Sequence, residues 1–138
     1  MKKNIGKAVL FLALAVGLLG KMNQWFSLKQ EDGIYPMEIF YEQEENSIDV
    51  MFYGSSHTYS DINPAVLWEK EGIASFDLAG SLQPLWNTYY YMKESLKYQK
   101  PKVMVVELVR AIEDREYIEE ARTITNTFGM KLSREKYE

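Results

Sequence analysis

The reading of the fold turns on Ile48-Asp49-Val50-Met51-Phe52-Tyr53-Gly54-Ser55-Ser56-His57. From Ile48 to Tyr53 the chain is apolar apart from Asp49, and it is rich in β-branched and aromatic residues. That is the composition of a central strand in a parallel sheet, buried on both faces. Gly54 ends the run and lets the backbone turn, and the small residues Ser55 and Ser56 then set hydroxyls at the sheet's carboxyl edge. In open α/β sheets ligands bind at that edge.

The segments that follow extend the pattern. Asn63 is a good N-cap, Pro64 fits the first helical position where an N–H is not needed, and Gly72 is a natural C-cap, so a short helix is predicted over 64–71. Ile73 to Gly80 reads as a second strand. From Gln83 to Lys100 the apolar positions Leu85, Trp86, Tyr89, Tyr90, Met92, Leu96 and Tyr98 recur mostly at helical spacing, opened by Pro84 and closed before Pro101. Lys102 to Val109 is a third, nearly all-apolar strand. Strands alternating with helices through short connections predict an α/β fold: a three-layer α/β/α, flavodoxin-like arrangement with a parallel sheet, right-handed crossovers and strand order 2-1-3. Beyond Arg110 the chain is charged, from Glu113 to Glu120, and no fourth strand is predicted. Three strands are few for this architecture, so the α/β domain, placed over 47–138, is expected to be incomplete at its C-terminal end.

Upstream, Met1 to Lys7 carries three lysines, and Ala8 to Gly20 holds no charge or strongly polar group. A basic start followed by an apolar run has the shape of a membrane-targeting segment. No small-x-small cleavage site stands out between Gly17 and Ser27, and Met22, Trp25 and Phe26 extend the apolar stretch past Lys21. Residues 1–26 are therefore expected to be an uncleaved signal anchor, a single transmembrane helix. The lysine excess puts its N-terminus in the cytoplasm and the domain outside the cell membrane. Residues 27–46, mostly polar and acidic around an aromatic interlude at Ile34 to Tyr41, are read as a juxtamembrane linker with a short helix or edge strand.

Composition excludes several classes. The 138 residues are 46% hydrophobic and 14% aromatic, enough for a core. Four of the 16 basic residues lie in 1–21 with no acid among them, so the remaining 117 residues carry 12 bases against 20 acids, a net charge of −8. An acidic body does not suit nucleic acid as a partner. There is no cysteine, and His57 is the sole histidine. Disulfides and thiolate chemistry are excluded, no metal site is indicated by clustered histidines or carboxylates, and no cofactor is expected.

The strand with Gly54-Ser55-Ser56-His57, the Asn63-Pro64 helix start, Phe76-Asp77-Leu78-Ala79-Gly80-Ser81 and Pro101-Lys102-Val103-Met104-Val105-Val106-Glu107 together resemble the SGNH/GDSL hydrolase superfamily. The similarity is to membrane-anchored bacterial branches whose first block reads Gly-Ser-Ser, some of them associated with acyl transfer onto cell-envelope polymers. It covers roughly residues 46–110. The resemblance implies Ser56 as nucleophile, with its own N–H as one oxyanion donor, and Gly80, matching the second-block glycine, as another through its N–H. It also exposes departures. Glu107-Leu108-Val109-Arg110 stands where the third-block asparagine belongs, and no Asp-x-x-His is present to supply the base a serine needs.

The residues around these positions have plainer readings beside functional ones. His57 is read as contacting substrate or stabilising the turn. Asp77, at a strand's carboxyl end, either faces the pocket or caps the loop. Gln83 either lines the pocket or begins the helix. Glu107 is an acid in an apolar strand and calls for a partner, either Arg110 or a group in the pocket. The resulting expectation is a membrane-anchored extracytoplasmic serine esterase or O-acyltransferase forming an acyl-enzyme on Ser56. Its substrate would be an acyl ester of a cell-envelope glycan or polymer, with a membrane acyl-transfer partner possible. The alternative is a non-catalytic membrane-tethered binding or assembly module. For these 138 residues alone little activity is expected, because the base is missing.

Overall fold

A computed structural model of the chain describes residues 2–26, 34–112 and 119–137. The charged stretch 113–118 and the polar segment 27–33 lie outside the described residues. Three parallel strands, β1 (Val50–Gly54), β2 (Ser75–Ala79) and β3 (Val103–Val106), pair in the order β2-β1-β3, with the serine strand in the middle. Val50 aligns with Ser75 and Val103, and Tyr53 with Leu78 and Val106. No fourth strand is present among the described residues.

The first helix, α1 (Lys2–Phe26), contains the 22-residue stretch Ile5–Phe26, whose most apolar 18 residues have a mean hydropathy of 1.8 and are wholly unburied. At 1.5 Å per residue it extends about 33 Å, long enough to cross a bilayer's hydrocarbon core. α2 (Ile34–Glu42) follows. It is the helical alternative of the short helix or edge strand expected within the linker, and Met37 and Phe40 are among the most buried side chains of the described residues. The helix belongs to the folded body: Met37, Phe40 and Tyr41 fall on one helical face, and Phe40 meets Phe76 and Tyr98 edge-on, at 5.7 and 6.1 Å between ring centroids.

Between β1 and β2 lie α3 (Ser56–Asp61) and α4 (Pro64–Glu71). Asn63 caps α4 through its Oδ1, which accepts from the N–H groups of Ala65 and Val66. Gly72 closes the helix at φ +66°, where glycine is strain-free. The chain then reaches β3 through α5 (Leu85–Ser95), shorter than the 83–100 pattern because it starts after Pro84 and gives way to a turn at residues 96–98. After β3 come α6 (Val109–Ile112), α7 (Glu119–Phe128) and α8 (Arg134–Tyr137).

One face of the sheet is the core: Met51, Tyr53 and Leu78 pack with Met37, Phe40, Tyr91 and Met130. Tyr53 reaches through that layer to Ser95, the two hydroxyls 2.7 Å apart. On the other face α3 packs against β1 and β2, and α4 against β2. That second layer stops short of β3, whose Val103 and Val105 remain 50% and 40% exposed. The α/β arrangement is therefore observed with a full helical layer on one side and a partial one on the other. β1 also starts two residues later than its apolar run. Gln99 Oε1 accepts from the N–H of Ile48 at 3.2 Å and of Ser47 at 2.9 Å, so those amides do not enter the ladder.

Candidate active site

Strand order 2-1-3 creates a topological switch point between β1 and β3, because the two crossovers leave β2 and β1 on opposite sides of the sheet. The crevice at the carboxyl end of such a pair is the general ligand position of open α/β sheets. Here Ser55, Ser56 and His57 leave β1, and Glu107 leaves β3.

Glu107 is the centre of that corner. Its N–H donates to the Tyr53 carbonyl at 2.9 Å, which extends the ladder by one residue and sets its side chain opposite Gly54. Oε2 accepts from the Ser55 N–H at 2.9 Å and from the Ser55 hydroxyl at 2.7 Å, and Oε1 accepts from the Val109 N–H at 2.6 Å. Partial burial pushes the Glu107 carboxyl up. The Ser55 hydroxyl and amide, the Val109 amide and the charge of His57 together outweigh that and hold it below the usual carboxylate range. The partner that Glu107 required is thus the β1 exit itself.

Gly54 makes the approach possible. A Cβ there would lie 2.5 Å from Glu107 Cβ, 2.9 Å from Oε2, and closer still to Thr58 Oγ1. Its φ is not positive, so the position calls for glycine through lack of space rather than through an unusual backbone.

The two serines separate cleanly. Ser55 is fully buried, with its hydroxyl held between Glu107 and His57 Nδ1, the latter at 3.2 Å. Ser56 opens α3, is partly exposed, and its hydroxyl has no hydrogen-bond partner among the described residues. His57 is exposed. Of the two hydroxyls, only that of Ser56 is free to meet a substrate, and no base touches it among the described residues.

Gly80 directly follows β2, and its N–H donates to the Gly54 carbonyl at 3.3 Å, continuing the ladder. In this geometry the amide that the resemblance assigns to an oxyanion is occupied by the sheet. The missing Cβ serves another purpose: it admits Asn126 of α7, whose Cγ would lie 3.0 Å from a Cβ at Gly80 and whose Oδ1 would lie nearer, with Gln83 Oε1 at 3.1 Å. Gln83, expected to line the pocket or begin the helix, is 1% exposed and donates its Nε2 to Thr88 at 2.8 Å. It is brought there by a turn in which Leu82 adopts φ +50°, a left-handed conformation that strains a side chain. Gln83 Oε1, Asn87 Oδ1 and both polar atoms of Asn126 are buried without a hydrogen-bond partner. Of these, Asn126 and Gln83 lie against Gly80; the contact has no local sequence signal, since Asn126 lies far along the chain on a polar helix.

Asp77 sits in mid-strand on β2, aligned with Phe52 and one face away from the core residues. One of its oxygens is buried without a partner, and burial raises its carboxyl to about 6. It neither caps the following loop by any observed bond nor touches the Ser55–Glu107 corner through one. No group of three or more potential metal ligands is present among the described residues. A cavity of about 310 Å³ is lined by Ser47, Ile48, Pro64, Trp68, Ala74 and Ser75, among others, at the amino-terminal ends of β1 and β2, the edge opposite Ser56.

No protein-family model, curated protein or solved structure matches this chain.

Proposed function

We propose that the protein is a membrane-anchored serine esterase or O-acyltransferase that uses Ser56 as its nucleophile on acyl esters of a cell-envelope glycan or polymer, with α1 as anchor and the α/β body outside the cytoplasm. The observation that carries this reading is the pairing at the β1 exit. One serine is buried and tied to Glu107, and the next presents an unpartnered hydroxyl at the switch-point crevice. Attack by Ser56 Oγ on an ester carbonyl would form the Ser56 ester and expel the alcohol, and a second alcohol or water would then take the acyl group. The Ser56 N–H at the head of α3 is the donor best placed for the oxyanion, whereas the Gly80 N–H would first have to leave the Gly54 carbonyl. No base lies against the Ser56 hydroxyl among the described residues, and in this proposal the proton is taken by a group outside them. The lysines in the first turns of α1, Lys2, Lys3 and Lys7, support the outward orientation.

The test is hydrolysis of a simple acyl ester by the longest reading frame that contains this chain, beside its Ser56→Ala variant. Activity lost in the variant supports the reading; activity retained by folded Ser56→Ala protein overturns it. The second reading, a membrane-tethered binding or assembly module without chemistry, is favoured by the bond that occupies the Gly80 amide and by the missing base. It requires that neither form turn over ester.

A further inference from the structure

We propose that Glu107 and Ser55 are positioning residues that hold neutral His57 as its Nδ1–H tautomer, so that Nε2 presents a bare lone pair at the mouth of the crevice between β1 and β3. Ser55 Oγ has a single proton and two neighbours, Glu107 Oε2 at 2.7 Å and His57 Nδ1 at 3.2 Å. An ionised carboxylate can only accept, and the short bond to a charged acceptor is the stronger of the two. The hydroxyl proton therefore lies toward Glu107. What Ser55 Oγ turns to His57 is a lone pair, so Nδ1 must supply the proton of that contact.

A neutral imidazole carries one N–H, and with it on Nδ1 the other nitrogen is unprotonated. Nε2 has no partner among the described residues and the ring is exposed. Glu107 is the charged group that the hydrogen bonds bring to this ring, and it acts through Ser55 rather than by touching the imidazole. The order Glu107–Ser55–His57 differs from a catalytic triad, in which the acid bonds to the imidazole and the imidazole to the serine. Here the serine is the relay and the outward nitrogen is the free acceptor. Within the acyl-transfer reading, the group that Nε2 would meet is the hydroxyl of the acyl acceptor; that clause rests on the reading, and the tautomer does not.

The experiment uses the full chain in detergent micelles with ¹⁵N-labelled histidine. His57 is the sole histidine, so each ring nitrogen gives one signal. At a pH where the imidazole is neutral, long-range ¹H–¹⁵N correlations identify which nitrogen carries the proton. The expected result is a protonated Nδ1 and an unprotonated Nε2. In Ser55→Ala the acceptor for Nδ1–H is gone, and in Glu107→Met the Ser55 hydroxyl is released to donate to Nδ1. Both variants, checked for folding by near-ultraviolet circular dichroism, are expected to shift the ring to the Nε2–H form. A majority of Nε2–H in the unmodified chain overturns the proposal, as does Nδ1–H persisting in both folded variants. Loss of the Ser56 assignment would leave these signals unchanged, so the two failures are distinguishable.

Discussion

The hydroxyl of Ser55 lies 2.7 Å from Glu107 Oε2, and this bond ties the exit of the central strand to the exit of its neighbour. Glu107 answers three N–H or O–H donors, two of them on a fully buried residue. Glu107→Ala leaves those donors unanswered, and each buried orphan costs about 1–3 kcal/mol. A clear fall in thermal midpoint is expected in Glu107→Ala and not in Glu42→Ala, an exposed control. Equal midpoints would show that the corner contributes nothing to the fold.

Gly80 and Asn126 are expected to be coupled. Gly80→Ala places a methyl into the Asn126 side chain, and overpacking of this kind costs about 1–3 kcal/mol. Asn126→Ala removes the obstacle together with two buried polar atoms that have no partner. In a double-mutant cycle followed by urea denaturation, Gly80→Ala should cost much less in the Asn126→Ala background. Strictly additive effects would mean that the two residues do not meet.

Phe40 decides whether α2 is part of the folded body or a tether. It is 1% exposed against Phe76 and Tyr98. Phe40→Ala is expected to destabilise the protein by about 3–5 kcal/mol. A linker residue would show a change of less than about 0.5 kcal/mol.

Asp77 carries a pH signature. Its carboxyl is raised from 3.8 to about 6 by burial, so between those values the folded chain binds more protons at this site than the unfolded chain. Stability from this group therefore falls as pH rises from about 4 to about 6 and is level above that. Asp77→Asn removes the effect. The stability of Asp77→Asn relative to the unmodified chain should grow across that interval and then plateau in urea titrations at stepped pH. A difference that is flat with pH would contradict the burial of this carboxylate.

The features legible in the sequence were those with a local cause. Asn63, Pro64 and Gly72 bracket α4 because capping and left-handed closure act within a few residues. The order 2-1-3 followed from short connections between apolar runs, because right-handed crossovers leave few alternatives. The second helical layer was expected to be complete and is partial, since coverage of β3 depends on packing rather than on any one strand's pattern. A short helix or edge strand is read at Ile34 to Tyr41, and α2 is the helix; the acidic residues that flank it favour a linker, while its burial depends on Phe76 and Tyr98, which are distant in sequence.

The site was less legible because its partners are distant in sequence. Ser55 and Glu107 are 52 residues apart and meet only through the register of β1 and β3. Once that register is known, Glu107 falls opposite Gly54, and the need for a glycine there has its reason. Gly54-Ser55-Ser56 marked the right turn without showing which serine is buried. Asn126 had no signal at all, since a single asparagine on a polar helix does not reveal that it fills the space left by a glycine.

The most direct measurement of the central claim is labelling by a serine-directed fluorophosphonate of the longest reading frame containing this chain, beside its Ser56→Ala and Ser55→Ala variants. The expected result is labelling of the unmodified protein that is abolished by Ser56→Ala and that persists, at a changed rate, in Ser55→Ala. Such a pattern would establish an activated Ser56 and a base supplied from outside the residues described. Labelling that survives Ser56→Ala, or no labelling of protein shown to be folded, would contradict a nucleophilic Ser56 and leave the non-catalytic module as the better reading.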